Sequence, residues 1–230
     1  MGEGRVLGVD ACKAGWVGIA LGDGMPVPHF AAGIGELVEM AGADGWVEVV
    51  AVDMPIGLPD SGRRQADLLA RGEAGARGSS VFVTPVREAL LAQTHAAAVE
   101  VNRDRAGMGI SIQAFSLRTK ILEVDQWIRQ APCRVIEVHP EVCFAHLADK
   151  RPLCPKSTWA GVEERRALLA EAGIVLAADL GTAGRTARVD DVLDAAAAAW
   201  TARRFASKTA ESFPAEPQIF SDGLPSAIWA

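Results

Sequence analysis

The first fifty residues alternate short apolar runs with turn-forming residues, a pattern typical of β-strands joined by tight connections. Three such runs occupy residues 5–10, 16–21 and 27–32. The five-residue link between the first two predicts an antiparallel hairpin, and the prolines at positions 26 and 28 place the third strand at a sheet edge. Apolar residues then recur at helical spacing over 34–41, which predicts a helix before a buried strand at 46–53.

The rest of the chain is predicted to be largely helical. Periodicity and flanking turn residues indicate helices at 63–71, 84–98, 111–130, 163–172 and 190–206, with a further strand at 134–139. The glycine-rich segment 72–80 is predicted to be a mobile loop, and the tail after Pro214 to be irregular. This order of elements predicts an α/β fold with a mixed sheet and helices on its faces. We expect one domain over 1–230, with a helical insertion at about 60–130 between the fourth and fifth strands.

Composition narrows the classes of protein to which the chain can belong. No apolar run reaches the roughly 18 residues needed to cross a bilayer, and the first residues show no secretory signal, so we expect a cytoplasmic protein. The net charge of −6 argues against a protein that coats nucleic acid non-specifically. Residues 63–120 nevertheless hold nine basic and five acidic residues. This basic middle is compatible with an anionic substrate, although on charge alone a solvated helix face is the simpler explanation.

Two aspartates stand where strands of this fold end. Asp10 and Asp53 each follow an apolar run that finishes in valine. Either one alone is as easily explained by capping of a turn. In open sheets, however, ligands collect at the carboxyl ends of the strands. Two carboxylates held together there repel each other unless a cation lies between them, and Mg²⁺ or Mn²⁺ is the cation that suits oxygen ligands.

Further acids come from the last helix and from the strand at 134–139. Asp191 and Asp194 are three residues apart and share one helical face. The alternative is that acids at a helix start serve its dipole, with Asp190 as the N-cap, but Asp194 lies deeper and precedes a run of alanines. Glu137 is predicted at the centre of a buried strand, where a carboxylate is costly unless it is paired or binds metal.

Five short motifs then occur in a distinctive order. They are Gly-Val-Asp at 8–10, Asp-Met-Pro-Ile-Gly-Leu-Pro at 53–59, Ser-Ser-Val-Phe at 79–82, Glu-Val-His-Pro-Glu at 137–141 and Asp-Val-Leu-Asp-Ala at 191–195. As a set they resemble a family of uncharacterised bacterial proteins, of the domain of unknown function 429 type, predicted to be nucleases. The resemblance runs from Val6 to about Phe205. It extends more distantly to the ribonuclease H-like superfamily and its Holliday-junction resolvase branch, where a glutamate stands in place of Asp53.

The resemblance implies a ribonuclease H-like five-stranded mixed sheet in the order 3-2-1-4-5. It implies a metal-dependent phosphodiesterase that hydrolyses nucleic acid or a nucleotide through two Mg²⁺ or Mn²⁺ ions. The expected metal ligands are Asp10, Asp53, Asp191 and Asp194, with Glu137 as a further ligand or base. The candidates for binding the substrate and its phosphate charge are Lys13, Arg63, Arg77, Ser79 and Lys120.

Two other functions fit the same sequence. A non-catalytic metal- or nucleotide-binding module of this fold would keep its acids for stability or for a partner. The low aromatic content, 6% with no tyrosine, offers few stacking surfaces for bases and so weakens the nucleic-acid hypothesis. Phosphoryl transfer of the sugar-kinase type ranks third. It needs glycine-rich phosphate turns in two duplicated domains, and this sequence has neither the length nor a second copy.

Overall fold

The computed structural model describes residues 4–230, and within them one mixed sheet organises the fold. Its strands are β1 (Arg5–Cys12), β2 (Gly15–Leu21), β3 (Val27–Ala31), β4 (Val47–Val52), β5 (Arg134–Val138), β6 (Ser212–Ile219) and β7 (Pro225–Trp229). They lie in the order β3-β2-β1-β4-β5-β7-β6. The pairs β1–β2, β2–β3 and β6–β7 are antiparallel, whereas β1–β4, β4–β5 and β5–β7 are parallel.

Helices cover both faces of this sheet. They are α1 (Ile34–Gly42), α2 (Gln65–Glu73), α3 (Arg87–Leu90), α4 (His95–Ala106), α5 (Ile112–Ser116), α6 (Arg118–Trp127), α7 (Pro140–Leu147), α8 (Trp159–Glu171), α9 (Gly181–Thr186) and α10 (Val189–Ala206). Two 3-10 helices span Gly75–Ser80 and Ile128–Gln130. Helices α7, α8 and α10 pack on one face, and α1 and α6 on the other. No helix within residues 4–230 combines the length and apolarity needed to cross a membrane.

Helix α10 lies directly against β1 because both contribute small residues. A Cβ at Gly8 would overlap the backbone of Ala195 and Ala199, so only glycine permits this approach. The alanines of α10 that face the sheet are fully buried. Close packing of small residues therefore fixes the position of α10, and it places the start of this helix beside the carboxyl end of β1.

The helical region between β4 and β5 differs from the sequence prediction in three places. The helix expected at 111–130 is divided into α5, α6 and the 3-10 helix Ile128–Gln130. The helix expected at 84–98 is instead two helices, because Thr94 caps a new start by accepting a hydrogen bond from the Ala97 N–H. The segment expected to be a mobile loop at 72–80 contains the end of α2 and the 3-10 helix Gly75–Ser80. Its last residue donates a hydrogen bond from the Ser80 hydroxyl to the Arg77 carbonyl at 2.6 Å.

The prediction of an irregular tail and a five-stranded sheet was wrong. Strands β6 and β7 extend the sheet to seven strands, with Ile228 opposite Glu137 in the parallel pair β5–β7. Prolines at 214 and 217 fall in the stretch where the β6–β7 register shifts, so they obscured a strand at the sheet edge. The tail docks on its own chain, as expected. Helices α7 and α9 were also missed, although Pro140 at the first turn of α7 is a common helix start.

Candidate functional site

Asp10 and Asp53 lie on the same face of the sheet, towards the carboxyl ends of the neighbouring parallel strands β1 and β4. The backbone N–H of Asp53 donates to the Val9 carbonyl at 3.0 Å, so the β1–β4 ladder continues up to both aspartates. Residues two or four apart along a strand share one face of the sheet. Val6 precedes Asp10 by four residues and Ala51 precedes Asp53 by two, and both pack on the α10 face. The carboxylates of Asp10 and Asp53 therefore face the start of α10.

Helix α10 brings two more acids to the carboxyl ends of these strands. Asp194 is buried, and its Oδ2 accepts a hydrogen bond from Lys156 Nζ at 2.6 Å. Asp191 is half-buried and accepts from the Arg188 N–H at 3.1 Å. Arg188, and not Asp190 as expected from the sequence, is the N-cap of α10. The carboxylate of Asp191 thus has one capping partner already, whereas that of Asp194 is held by a lysine.

The four acids influence one another electrostatically. Burial raises the pKa of Asp10 well above its usual range, and the charges of Asp53, Asp194 and Asp191 raise it further. Burial, followed by the charge of Asp194, raises the pKa of Asp53 to about 8. Burial likewise raises the pKa of Asp194, but the ion pair with Lys156 opposes the shift. The cluster formed by Asp10, Asp53, Asp191 and Asp194, called the acid cluster below, is destabilised as long as all its members are charged.

Lys156 is the residue of this region that sequence reasoning missed. Burial alone would lower its pKa, but Asp194, Asp53 and Asp10 together raise it. The lysine stands in a proline-flanked loop between α7 and α8, with no periodic pattern or strand end to mark it. Only the fold brings it to acids that are more than thirty residues away in sequence.

A buried ion pair anchors the loop that carries Lys156. Arg165 on α8 donates to the Glu141 carboxylate at 3.0 Å and to the Cys154 carbonyl, also at 3.0 Å. Both charged side chains are buried, and Glu141 is close enough to raise the pKa of Asp53 and Asp194. The acid cluster is therefore bordered by a fixed cation–carboxylate pair in addition to Lys156.

Glu137 lies on the sheet face opposite to the acid cluster, although its charge also raises the pKa of Asp53. It pairs with Val52 in the β4–β5 register, and Val52 packs on the α1 and α6 face, opposite to Asp10 and Asp53. Its carboxylate accepts from the Arg64 guanidinium at 2.5 and 2.9 Å and from the Ile56 N–H at 2.7 Å. Burial raises the pKa of Glu137 to about 7, against the opposing effect of Arg64. In this arrangement the carboxylate supports the turn after Asp53.

The predicted substrate-binding residues do not form one group. Lys13 is exposed in the turn after β1, at the same end of this strand as the acid cluster. Arg63 and Ser79 are exposed, and Arg77 donates to the Leu153 carbonyl at 3.3 Å. Lys120 lies over the Trp16 ring, on the sheet face opposite to the cluster. Of the two adjacent arginines, the buried one is Arg64, which the sequence did not single out.

The donor chemistry of the acid cluster suits a hard divalent cation, but its geometry does not provide a completed site. Carboxylate oxygens are the ligands that Mg²⁺ and Mn²⁺ prefer. Across residues 4–230, however, no three histidine, cysteine, aspartate or glutamate side chains are grouped so as to hold a metal ion. The Lys156 ammonium group already contacts one oxygen of Asp194.

A comparison with known protein families shows to which family the chain belongs. The family model described as protein of unknown function, DUF429, matches residues 8–219, which is most of the chain. The chain belongs to this family. The match includes all four aspartates of the acid cluster, Lys156 and the Glu141–Arg165 pair. No curated protein and no solved structure matches the sequence.

The raised pKa of Asp53 leads to a prediction about stability and pH. A carboxyl group with a pKa near 3.9 when unfolded and about 8 when folded contributes stability that is fully present below about pH 4 and is lost as the pH rises through about 8. The variant Asp53→Asn stays neutral. Its free energy of unfolding should therefore increase relative to wild type between pH 5 and pH 8, by up to about 1.4 kcal/mol per pH unit. Urea unfolding of both proteins in EDTA measures this, and a difference independent of pH would contradict it.

Proposed function

We propose that this protein is a divalent-metal-dependent phosphodiesterase that hydrolyses nucleic acid, built on a ribonuclease H-like fold. The observation that carries the proposal is the acid cluster: two strand ends and one helix start bring four aspartates to one edge of the sheet. Their mutual repulsion is costly for stability. A cost of this kind is typical of functional sites, and a bound cation would relieve it.

The strand order supports the choice of fold. The first five strands lie in the order β3-β2-β1-β4-β5, with antiparallel pairing through β1 and parallel pairing beyond it. This is the arrangement that the resemblance implied, with β7 and β6 added outside β5. An acid on β1 and an acid on a late helix are also what the resemblance implies, and Asp10 on β1 and Asp194 on α10 fit this description.

In this proposal a few residues have separate roles in binding the metal and the substrate. Asp10 and Asp53 provide fixed carboxylates from the sheet, and Asp194 provides one from α10. A bound Mg²⁺ or Mn²⁺ would activate water and stabilise the leaving oxygen of the phosphodiester. Lys13, exposed at the same edge, is placed to offset phosphate charge.

One exposed aromatic side chain favours a nucleic-acid substrate over a simple phosphate ester. Trp159 is 79% exposed and follows Lys156 by three residues, at the first turn of α8. An exposed indole three residues from Lys156 offers a base a surface for stacking, which is worth about 1–3 kcal/mol per base. The low overall aromatic content therefore does not argue as strongly against nucleic acid as the composition suggested.

The alternative is a non-catalytic binding module of the same fold. Two observations favour it: Lys156 already neutralises Asp194, and no group of three potential ligands is assembled in the part of the chain that the structure describes. A module of this kind would keep the acid cluster without turnover.

Cleavage assays distinguish the two functions. The purified protein is incubated with labelled single-stranded, duplex and branched DNA and with RNA, in Mn²⁺, Mg²⁺ or EDTA. We expect cleavage of at least one substrate that requires the metal and is lost in Asp53→Asn. Metal binding without cleavage of any substrate would favour the module. Cleavage that persists in EDTA would contradict the metal-dependent mechanism.

A further inference from the structure

We propose that Lys156 is the resident counter-cation of the acid cluster, and that a divalent cation binds there only by taking Asp194 away from it. The inference rests on the proposed function and deepens it, because it states how access of metal to the site is controlled. It would explain why acids with the right chemistry for Mg²⁺ or Mn²⁺ are not assembled as a ligand set in the structure.

The contact itself is unlike an ordinary surface ion pair. Lys156 Nζ lies 2.6 Å from Asp194 Oδ2, and the Asp194 side chain is only 4% exposed. The Lys156 side chain, by contrast, is 39% exposed. The lysine therefore reaches a buried carboxylate from the solvent side, which leaves its ammonium group a path for withdrawal. A buried carboxylate that lost this partner would be left with an uncompensated charge, which another cation or a proton would have to neutralise.

The loop around Lys156 is held in place on both sides. Before it, the Cys154 N–H donates to the Glu164 carboxylate at 2.7 Å, and the Cys154 carbonyl accepts from the buried Arg165. After it, Thr158 caps α8 by accepting from the Gly161 N–H. With its flanks fixed in this way, the loop presents Lys156 to the cluster with little loss of conformational entropy.

Competition between the two cations follows from the charges. A divalent ion held by Asp194 would either take the oxygen that Lys156 contacts or lie close to the ammonium charge, and both are unfavourable for the ion. This cost reduces the metal affinity of the wild-type protein. Removing the ammonium group removes the cost and leaves the cluster more negative by one charge. We therefore expect a variant without the Lys156 charge to bind Mn²⁺ more tightly, by about tenfold or more, since each tenfold step in affinity corresponds to about 1.4 kcal/mol.

The experiment compares Mn²⁺ binding by the full chain and three variants, measured by titration calorimetry and by the electron paramagnetic resonance signal of free Mn²⁺. Lys156→Met removes the charge and keeps an apolar stem of similar length. Lys156→Arg keeps a cation and should retain weak binding close to that of wild type. Lys208→Met removes a lysine that is exposed beyond the opposite end of α10, so it matches the change in net charge and should not alter the affinity.

Thermal unfolding of the same proteins checks that they fold and gives a second readout. In EDTA, Lys156→Met should melt below wild type, because Asp194 has lost its partner. Saturating Mn²⁺ should raise its melting temperature more than it raises that of wild type.

The outcomes separate this inference from the proposed function. If Mn²⁺ binds all four proteins equally, or binds Lys156→Met more weakly than wild type, Lys156 is not a competitor, while the metal-dependent function stands. If Mn²⁺ binds none of them up to millimolar concentration, both the inference and the metal-dependent function are wrong.

Discussion

Replacing Asp10 by asparagine should reduce metal-dependent cleavage by about 100-fold or more while making the metal-free protein more stable. Asp10 is buried, and three other acids of the cluster raise its pKa. Asparagine keeps the oxygen that accepts the Ala11 N–H at 2.7 Å, so the turn after β1 remains supported. What is lost is the charge, which the fold tolerates poorly and a divalent cation requires.

The substitution Asp10→Asn should change activity and stability in opposite directions. At about pH 8 in EDTA, Asp10→Asn should have a higher free energy of unfolding than wild type, because burial and the neighbouring acids disfavour the charge that the substitution removes. Asp23→Asn is the matched control, because Asp23 is exposed in the turn between β2 and β3 and should change neither quantity. Urea unfolding and the cleavage assay measure the two effects. If Asp10→Asn lost stability without loss of cleavage, Asp10 would be a structural residue and not a metal ligand.

Arg64→Met should cause the largest loss of stability of any single substitution considered, about 3–5 kcal/mol. Arg64 is fully buried and donates to two buried carboxylates, those of Glu137 and Asp67. It also donates to the Ile56 carbonyl at 2.9 Å. Methionine fills similar space but leaves both carboxylates without their cation in the interior.

The neighbouring residue provides the control. Arg63 is exposed, and Arg63→Met should change the free energy of unfolding by no more than about 0.5 kcal/mol. Urea denaturation monitored by tryptophan fluorescence and by circular dichroism measures both variants. Similar losses for the two arginines would show that the buried network contributes no more than surface charge. If Arg64→Met were insoluble, Arg64→Lys, which keeps the charge but not the forked geometry, should fold with an intermediate loss.

The sequence was informative wherever local patterns decide the structure. Apolar runs of the right length predicted β1 to β5, and the periodic positions predicted α1 and α10. The same runs drew attention to Asp10 and Asp53, because each aspartate directly follows an apolar run. Asp53 comes directly after β4, whereas β1 continues past Asp10 to Cys12. The parallel arrangement of β1 and β4 then required only a crossover between them, which α1 provides. Both the mixed α/β architecture and the grouping of acids at one sheet edge could therefore be anticipated from the chain alone.

Only the tertiary structure decided the rest, because the deciding partners are distant in sequence. Strand β7 exists because β5 offers it an edge, a fact that no local pattern around residue 225 contains. The face on which Glu137 lies follows from the register of β5 with β4, and a shift of one residue would reverse it. Lys156 reaches the acid cluster only because α8 and α10 fold against each other. Local propensity fixed the elements and their aspartates, whereas long-range packing decided which charges meet.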